Sequence, residues 1–307
     1  MQSVKHQHYV PQFYLRNFCN EHGRIHVYDK KSGKSYETAP RNVAGERYFY
    51  DCEDLAEILG DKQGVEKYLS AQEGLISGYL NKLVDRLRTN NYIRLHPDTR
   101  TAIAAFSAFQ LIRAKNARLE SRQMSEQLVK FLSKHEDAGA LIQEIKESTS
   151  EAEEKKAHCM RLLDLPFILE LAGIISGHIW IIMKRHHGDS FWISDEPITK
   201  KENKSSPYRS NSGLASPGIE IHIPLSHDYL ITCYEKNYFS NLKEMDGKVI
   251  DLASPQNIEY YRQFQVTSSS RFVYAKDSNF ELAEEMCIAD PSLRDPERKI
   301  ITSNHDD

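Results

Sequence analysis

The apolar residues between positions 64 and 87 recur at intervals of three, four and seven, which is the spacing of one face of an α-helix. A second pattern of this kind begins with a helix-start signal at residues 97–99 and continues to Leu119 or beyond. The strongly charged residues 120–160 predict further, more exposed helices. The middle of the chain is therefore predicted to be helical.

Strand-like alternation flanks the helical segment on both sides. Residues 24–29 and 35–38, joined by a turn at 30–34, predict an N-terminal β-hairpin. Residues 178–183 and 191–194 predict a second hairpin. The remaining predicted elements are the turn of this hairpin at 187–189, strands at 219–223, 229–234 and 271–275, a helix at 255–267 and a long loop at 200–218.

These patterns predict an α+β fold, in which a helical middle segment packs on a mostly antiparallel C-terminal sheet and an N-terminal β-hairpin precedes both. A chain of 307 residues can bury a substantial core in one domain. We therefore expect a single domain over residues 1–290 and a polar tail over 291–307. The predicted parts of the domain are the N-terminal motif and hairpin at 1–50, the helical part at 60–176 and the strand-rich part at 177–290.

The charges and cysteines limit the functional classes. Lys and Arg number 40 against 44 Asp and Glu, which argues against a surface wholly given to nucleic acid but allows a local basic groove. The five cysteines are scattered and include no Cys-x-x-Cys pair, which predicts a reducing, cytoplasmic location. The apolar residues 165–183 are interrupted by Pro166 and Glu170, so they predict a buried helix and strand, and no membrane partner is expected. The oligomeric state is left open.

Glu73 falls inside the apolar stripe of the first long helix, four residues after Leu69 and three before Ile76. A carboxylate buried without a partner is costly, so a cation, a donor network or a metal ion is implied. Glu66 lies seven residues earlier on the same face, so both acids can reach one divalent metal such as Mg²⁺ or Mn²⁺. The alternative is a pair of structural salt bridges at the edge of the stripe.

The next helix carries Gln110 and Arg113 on a face that also contains apolar residues. Arg113 is a natural partner for Glu73 or Glu66, and that pairing is architectural. The alternative is an anion site formed with Arg118, because guanidinium groups suit phosphate oxygens. Gln110 and Arg113 are therefore candidate ligand-binding residues.

Ser194 and Asp195 follow an aromatic strand and precede Pro197, and carboxylates at strand ends commonly project into clefts. Asp195 is a candidate metal ligand or general base, with Ser194 beside it as a ligand-binding group. The alternative is an Asp that caps local backbone N–H groups before a proline. Both interpretations fit the local sequence.

His6 and His8 face the same way in an extended segment, which is the geometry of a two-histidine metal site. The alternative, which we favour, is that the histidine and aromatic residues dock the terminus on the core. His8 then becomes a candidate for proton transfer. If Pro11 opens a short helix, Gln12 and Arg16 lie four residues apart on one face as candidate ligand-binding groups.

Four blocks of sequence carry a family resemblance. They are His8-Tyr9-Val10-Pro11-Gln12-Phe13-Tyr14-Leu15-Arg16-Asn17-Phe18, Val65-Glu66-Lys67-Tyr68-Leu69 with Glu73, Gln110-Leu111-Ile112-Arg113, and Phe191-Trp192-Ile193-Ser194-Asp195-Glu196-Pro197. With these blocks and a weaker one at 223–226, the chain resembles a bacterial and phage-associated family of uncharacterised proteins, a domain of unknown function. The resemblance implies no reaction, but it implies that polar residues from distant segments belong to one pattern. Those residues are His8, Gln12, Glu73, Gln110, Arg113, Ser194 and Asp195. Glu196 stands where the family usually has Asn, which puts a functional role for this position in doubt.

Two functional hypotheses follow. The first is a hydrolase of the nuclease or phosphodiesterase type, acting on nucleic acid or a nucleotide, with Glu73 and Asp195 holding a divalent metal or acting as acid and base. In this hypothesis His8 assists proton transfer, and Arg113 with Gln12 binds phosphate. A role in phage defence is suggested by the distribution of the family alone. The rival hypothesis is a non-catalytic ligand- or protein-binding module, in which the same residues form a buried structural network.

Overall fold

The computed structural model describes residues 4–89, 95–185, 188–204 and 211–300. Helices occupy the middle of the chain, the C-terminal sheets are mostly antiparallel, and a short strand pair lies in the N-terminal part. The predicted α+β class is therefore confirmed.

The helices of the described residues follow the predicted periodicity closely. In α3 and α4, the apolar residues that predicted a helix are buried, for example Leu80 and Ile103. In chain order the helices are α1 (Gln12–Leu15), α2 (Glu53–Leu59), α3 (Gly64–Thr89), α4 (Pro97–Arg113), α5 (Asn116–Leu132), α6 (Gly139–Ser148), α7 (Glu151–Leu163), α8 (Leu165–Ser176), α9 (Pro255–Ser268) and α10 (Glu281–Ala289).

The end of α4 differs from the prediction, because the helix stops at Arg113 and does not continue to Leu119. Ala114 is extended, with φ −66° and ψ 156°, and α5 begins at Asn116. The backbone N–H of Asn116 donates to the carboxylate of Glu196 at 2.7 Å. This acceptor satisfies a donor at the start of α5, so a partner 80 residues away favours a new helix there.

The strands form three sheets. In chain order they are β1 (His6–His8), β2 (Ile25–Asp29), β3 (Lys34–Thr38), β4 (Gly45–Arg47), β5 (Ile179–Lys184), β6 (Ile193–Ser194), β7 (Thr199–Glu202), β8 (Ile219–Pro224), β9 (Tyr229–Tyr234), β10 (Val249–Asp251) and β11 (Phe272–Ala275). A five-stranded sheet has the order β10-β5-β9-β8-β7, a four-stranded sheet has the order β3-β2-β11-β6, and β1 pairs with β4. Only the β10–β5 pair, among the strands of the described ranges, is parallel.

The N-terminal hairpin is confirmed, since β2 and β3 pair antiparallel with Ile25 opposite Thr38 and Asp29 opposite Lys34. Gly33 closes the turn with φ +69°, a left-handed conformation that suits glycine. The hairpin does not stand alone, because β2 also pairs with β11 from the other end of the chain.

The predicted second hairpin is wrong. Strand β5 pairs with β9 and β10, whereas β6 pairs with β11 in the other sheet. Alternation shows that a segment is a strand but does not select its partner. Residues 179–183 are all buried, which places β5 inside a sheet and not at the edge of a two-stranded hairpin. Residues 186 and 187 of the predicted turn lie outside the described residues.

Two other boundaries differ from the prediction. The segment predicted as a loop at 200–218 begins inside strand β7, and its residues 205–210 lie outside the described ranges. Residues 291–300 do not form a free polar tail: Leu293 is buried, and the guanidinium of Arg298 donates to the carbonyl of Ser269 at 2.9 Å. A cation at the carbonyl end of α9 explains this docking. Residues 301–307 lie outside the described residues.

The largest hydrophobic cluster joins side chains from all three predicted parts of the chain. It includes Val10 from the N-terminal motif, Leu80 and Ile103 from the helices, and Ile223 and Ile231 from the strands. Within the described residues, no helix has the length and apolar character needed to cross a membrane.

Candidate functional site

Arg113, at the end of α4, is the centre of a buried polar network. Its Nη1 lies 2.6 Å from Oε1 of Glu73, and its Nε donates to the Tyr50 hydroxyl at 2.9 Å. Its Nη2 donates to the backbone carbonyl of His8. We call Arg113, Glu73, Tyr50 and His8 the Arg113 network. Its hydrogen bonds connect the N-terminal strand and the loop at Tyr50 to α3 and α4.

The electrostatics of the Arg113 network favour the charged guanidinium. Burial by itself lowers the pKa of Arg113, but the Tyr50 hydroxyl and the Glu73 carboxylate outweigh it and raise that pKa. Arg113 is only 4% exposed, whereas the Glu73 side chain is 28% exposed. The geometry is that of the architectural alternative, in which Glu73 and Arg113 neutralise each other.

Glu66 does not join Arg113 in a hydrogen bond. Its Oε2 is buried without a partner among the described residues. Burial raises the pKa of Glu66 to about 7, although the nearby Arg113 opposes this rise. The two acids of α3 therefore differ: Glu73 holds a guanidinium, whereas burial favours the neutral form of Glu66.

Gln110 lies one turn before Arg113 and donates from Nε2 to the carbonyl of Tyr9 at 2.8 Å. Its Oε1 has no partner among the described residues. The Gln110 residue lines a cavity of about 10 Å³, which is room for about one water molecule. The other lining residues are Pro11, Leu69, Gln72, Glu73, Ile76, Phe106, Phe109 and Arg113. As it stands, the cavity is too small for a nucleotide.

The His8 ring makes a different contact from the His8 backbone. Its Nε2 donates to the carbonyl of Arg41 at 3.2 Å, and the ring packs edge-on against His6 with centroids 4.9 Å apart. Burial, and next the neighbouring His6, lower the pKa of His8 to about 4. The imidazole is therefore neutral at pH 7, and only the backbone carbonyl of His8 reaches the Arg113 network.

The remaining N-terminal candidates lie on α1, which begins at Gln12 directly after Pro11. Gln12 is half-buried and Arg16 is exposed, and neither side chain makes a hydrogen bond or ion pair within the described ranges. Tyr14 is fully buried, and its hydroxyl donates to the carbonyl of Pro224. The motif is therefore docked on the core through its aromatic residues.

Arg118 and Arg113 do not form a shared anion site. Arg118 donates from Nε to Nδ1 of His158 at 2.9 Å and from Nη2 to the carbonyl of Phe49 at 2.8 Å. Its guanidinium also stacks on the Phe49 ring, 4.0 Å from the centroid. Both arginines are thus committed to partners within the chain.

Asp195 is the centre of a second group, at the end of β6. Its Oδ1 accepts the N–H of Ser270 at 2.9 Å, and its Oδ2 accepts the N–H groups of Arg271 and Phe272, both at 2.8 Å. Burial raises the pKa of Asp195, while these backbone donors oppose the rise. Asp195 is 1% exposed, and it accepts backbone N–H groups as the capping alternative expected, but these groups are 75–77 positions away and not local.

Ser194 and Glu196 hold the same region. The Ser194 hydroxyl donates to Oε1 of Gln265 at 2.9 Å and accepts the N–H of Glu196 at 3.1 Å. Burial, and next the neighbouring Asp195, raise the pKa of Glu196. We call Ser194, Asp195, Glu196 and Gln265 the Asp195 network; it fastens β6 to α9, β11 and the start of α5.

The structure therefore brings His8, Glu73, Gln110 and Arg113 together and places Ser194 and Asp195 in another group. No hydrogen bond or ion pair joins the two networks in the part of the chain that the structure describes. Within that part, no three His, Cys, Asp or Glu side chains are grouped as a metal ion requires. Glu73 and Asp195 are each held by donors of the chain itself.

A family model described as "Protein of unknown function (DUF4238)" matches residues 6–279. The chain belongs to this family. No curated protein and no solved structure matches it. The resemblance to a family of uncharacterised proteins is thus confirmed, and the match covers both networks of this DUF4238 protein. The family description names no reaction, so a functional proposal has to rest on the geometry.

Two residues of the DUF4238 protein are more important than its sequence suggested. Tyr50 is not part of a recognisable sequence motif. Its hydroxyl nevertheless accepts a hydrogen bond from Nε of Arg113. Lys30 is fully buried, and its Nζ donates to the carbonyls of Val266 and Ser269, both at 2.8 Å. Burial lowers the pKa of Lys30 to about 8. The burial of this lysine, which lies in a predicted turn, is visible only in the tertiary structure.

We expect acid to destabilise this DUF4238 protein through His158. Burial, and next Arg118, lower the pKa of His158 to about 3, against an ordinary value of 6.5. A lowered histidine pKa gives stability that is complete above pH 6.5 and lost as the pH falls from 6.5 towards 3. At pH 4.5 the expected loss is about 3 kcal/mol of the free energy of unfolding.

The variant His158→Gln tests this expectation, because Gln can accept from Arg118 and donate to the carbonyl of Ile112 without titrating. Urea unfolding at pH 7 and pH 4.5 should show a smaller acid loss in the variant than in the wild type. An equal loss in both proteins would show that His158 is not the group responsible.

Proposed function

We propose that this DUF4238 protein is a non-catalytic protein-binding module whose buried polar networks are structural. The observation that carries the proposal is a row of exposed non-polar residues on α3. They are Ala71, Gly74, Leu75, Gly78 and Tyr79, at helical positions i, i+3, i+4, i+7 and i+8. This spacing places them on one face of the helix.

The α3 row is unusual for a surface helix, whose outer face is normally polar. Leu75 is 69% exposed and Tyr79 is 43% exposed. A Cβ atom added at Gly74 or Gly78 would meet no atom within 4 Å, so the surface beside them is open. Two large anchors beside two glycines suit an amphipathic helix of a partner protein, because the glycines allow its backbone to approach closely.

The polar networks favour binding over hydrolysis. A hydrolase on a phosphodiester or nucleotide, with Mg²⁺ or Mn²⁺, needs a carboxylate and an anion-binding group that can reach one substrate. Asp195 instead accepts three backbone N–H groups, and Arg113 is bonded through all three of its guanidinium nitrogens. These contacts support a structural role. The five cysteines are free, which suits a cytoplasmic location for the module.

Site-specific photo-crosslinking in cells tests the binding proposal. A photoreactive amino acid at position 75 of the full chain should give a discrete product with a different protein, and one at the exposed Ala157 of α7 should not. With the probe at 75, Tyr79→Glu should reduce the yield about tenfold, since a buried anchor contributes more than 1 kcal/mol.

The matched control is Tyr238→Glu, because Tyr238 is 49% exposed but lies outside α3. It should leave the crosslink unchanged. Either a probe at 75 that captures no other protein, or an equal loss in the Tyr79 and Tyr238 variants, would contradict the proposal.

A further inference from the structure

A second apolar surface lies on α5. Met124, Leu128 and Phe131 occur at helical positions i, i+4 and i+7, and they are 62%, 47% and 59% exposed. A neighbouring side of α5 is buried through Asn116, Leu119 and Gln123. The three large side chains therefore form an outward stripe that remains about half exposed, although the Phe131 ring contacts the His135 ring with centroids 5.4 Å apart.

We infer that the α5 stripe is the contact surface for a second copy of this chain, with the two α5 helices antiparallel. A twofold axis that passes between residues 127 and 128 places Met124 opposite Phe131 of the partner subunit, and Phe131 opposite Met124 of the partner subunit. Leu128 then lies beside the axis and meets Leu128 of the partner subunit. The stripe is thus complementary to itself, as a twofold interface requires.

The residue types suit this arrangement. A methionine sulfur at the edge of an aromatic ring is a favourable contact, and it would occur twice in the dimer. The unbranched Met124 side chain can also adapt to the space beside a ring. The three side chains would bury apolar surface that is otherwise in contact with water.

The charges at the ends of the stripe select the antiparallel direction. Glu120 lies one turn before Met124, and Lys134 follows the last residue of α5 by two positions. Both are exposed, and neither side chain makes a hydrogen bond or ion pair with the described residues. An antiparallel pair brings Glu120 near Lys134 of the partner subunit. A parallel pair would place like charges opposite each other, which is unfavourable.

Sedimentation velocity of the full chain, over a range of protein concentrations, tests the inference. We expect a reversible monomer–dimer equilibrium with a dissociation constant in the micromolar range, because three side chains per subunit make a small interface. Leu128→Glu should raise the dissociation constant at least about tenfold, since two carboxylates would meet at the axis. The matched control is Ile58→Glu on α2, where Ile58 is 74% exposed; this variant should dimerise like the wild type.

A charge exchange tests the direction of the helices. Glu120→Lys should weaken the dimer at low salt, and the double variant Glu120→Lys/Lys134→Glu should restore it. A monomer at every concentration, or a dimer that Leu128→Glu leaves intact, would overturn the inference. Circular dichroism of each variant checks that the fold is retained. The crosslink at position 75 on α3 is independent of this result, so either proposal can fail alone.

Discussion

Replacing Arg113 with methionine should lower the free energy of unfolding by about 3–5 kcal/mol. Methionine fills similar space but leaves the Tyr50 hydroxyl and the His8 carbonyl without their donor. The Glu73 carboxylate loses its cation as well, although its 28% exposure lets water compensate in part. Equilibrium urea unfolding measures the loss.

The control for Arg113→Met is Arg88→Met on α3. The Arg88 side chain is 44% exposed, and its nitrogens lie 3.9 Å from Asp85 and 3.7 Å from Asp228. Because exposed ion pairs contribute little, this variant should change the free energy of unfolding by at most about 1 kcal/mol. If Arg113→Met were as stable as Arg88→Met, the structural role would be refuted and anion binding would become the better hypothesis. If Arg113→Met does not fold, Arg113→Lys keeps the charge and should give a partial loss.

Asp195→Ala should cost about 3 kcal/mol or more, because three buried backbone N–H groups lose their acceptor and each unpaired group costs about 1–3 kcal/mol. Asp195→Asn keeps one acceptor oxygen and should lose less. The backbone N–H groups that Asp195 accepts belong to the segment that leads into β11. We expect the loss of stability to appear as a lower midpoint of urea unfolding.

The control for Asp195→Asn is Asp251→Asn, where the Asp251 side chain is 71% exposed and lies 3.4 Å from Lys184. It should be close to the wild type in stability. Calorimetry with Mg²⁺ or Mn²⁺ separates the hypotheses further. An Asp195→Asn protein with wild-type stability that lost a metal-binding heat of the wild type would establish Asp195 as a metal ligand.

Some of the site followed from the sequence because it depends on helical spacing. Glu73 and Arg113 each fall on an apolar face, and a buried charge needs an opposite charge, so their pairing was one of the alternatives that the sequence allowed. For Asp195 the sequence allowed a backbone-capping role, but the N–H groups that it accepts are 75–77 positions away and not local as expected. In both cases the sequence left the functional alternative open, since it does not show how many donors surround a side chain.

Other parts of the site did not follow from the sequence. Tyr50 and Lys30 are conventional residues in a loop and a turn, and their partners lie 63 and more than 230 positions away. The Arg113 and Asp195 networks were expected to form one composite site, and the structure groups them separately. Nothing in a local pattern specifies which distant backbone groups a polar side chain will meet.

The sequence by itself determined the α+β class, the positions of α3 and the N-terminal hairpin, and the family. These depend on local spacing, because the repeat of apolar residues and the steric demands of turn residues act within a few positions. Only the tertiary structure decided the partners of β5 and β6, the break between α4 and α5, and the two separate networks. Those outcomes depend on which buried donors and acceptors satisfy each other over long distances, and that balance exists only once the core has formed.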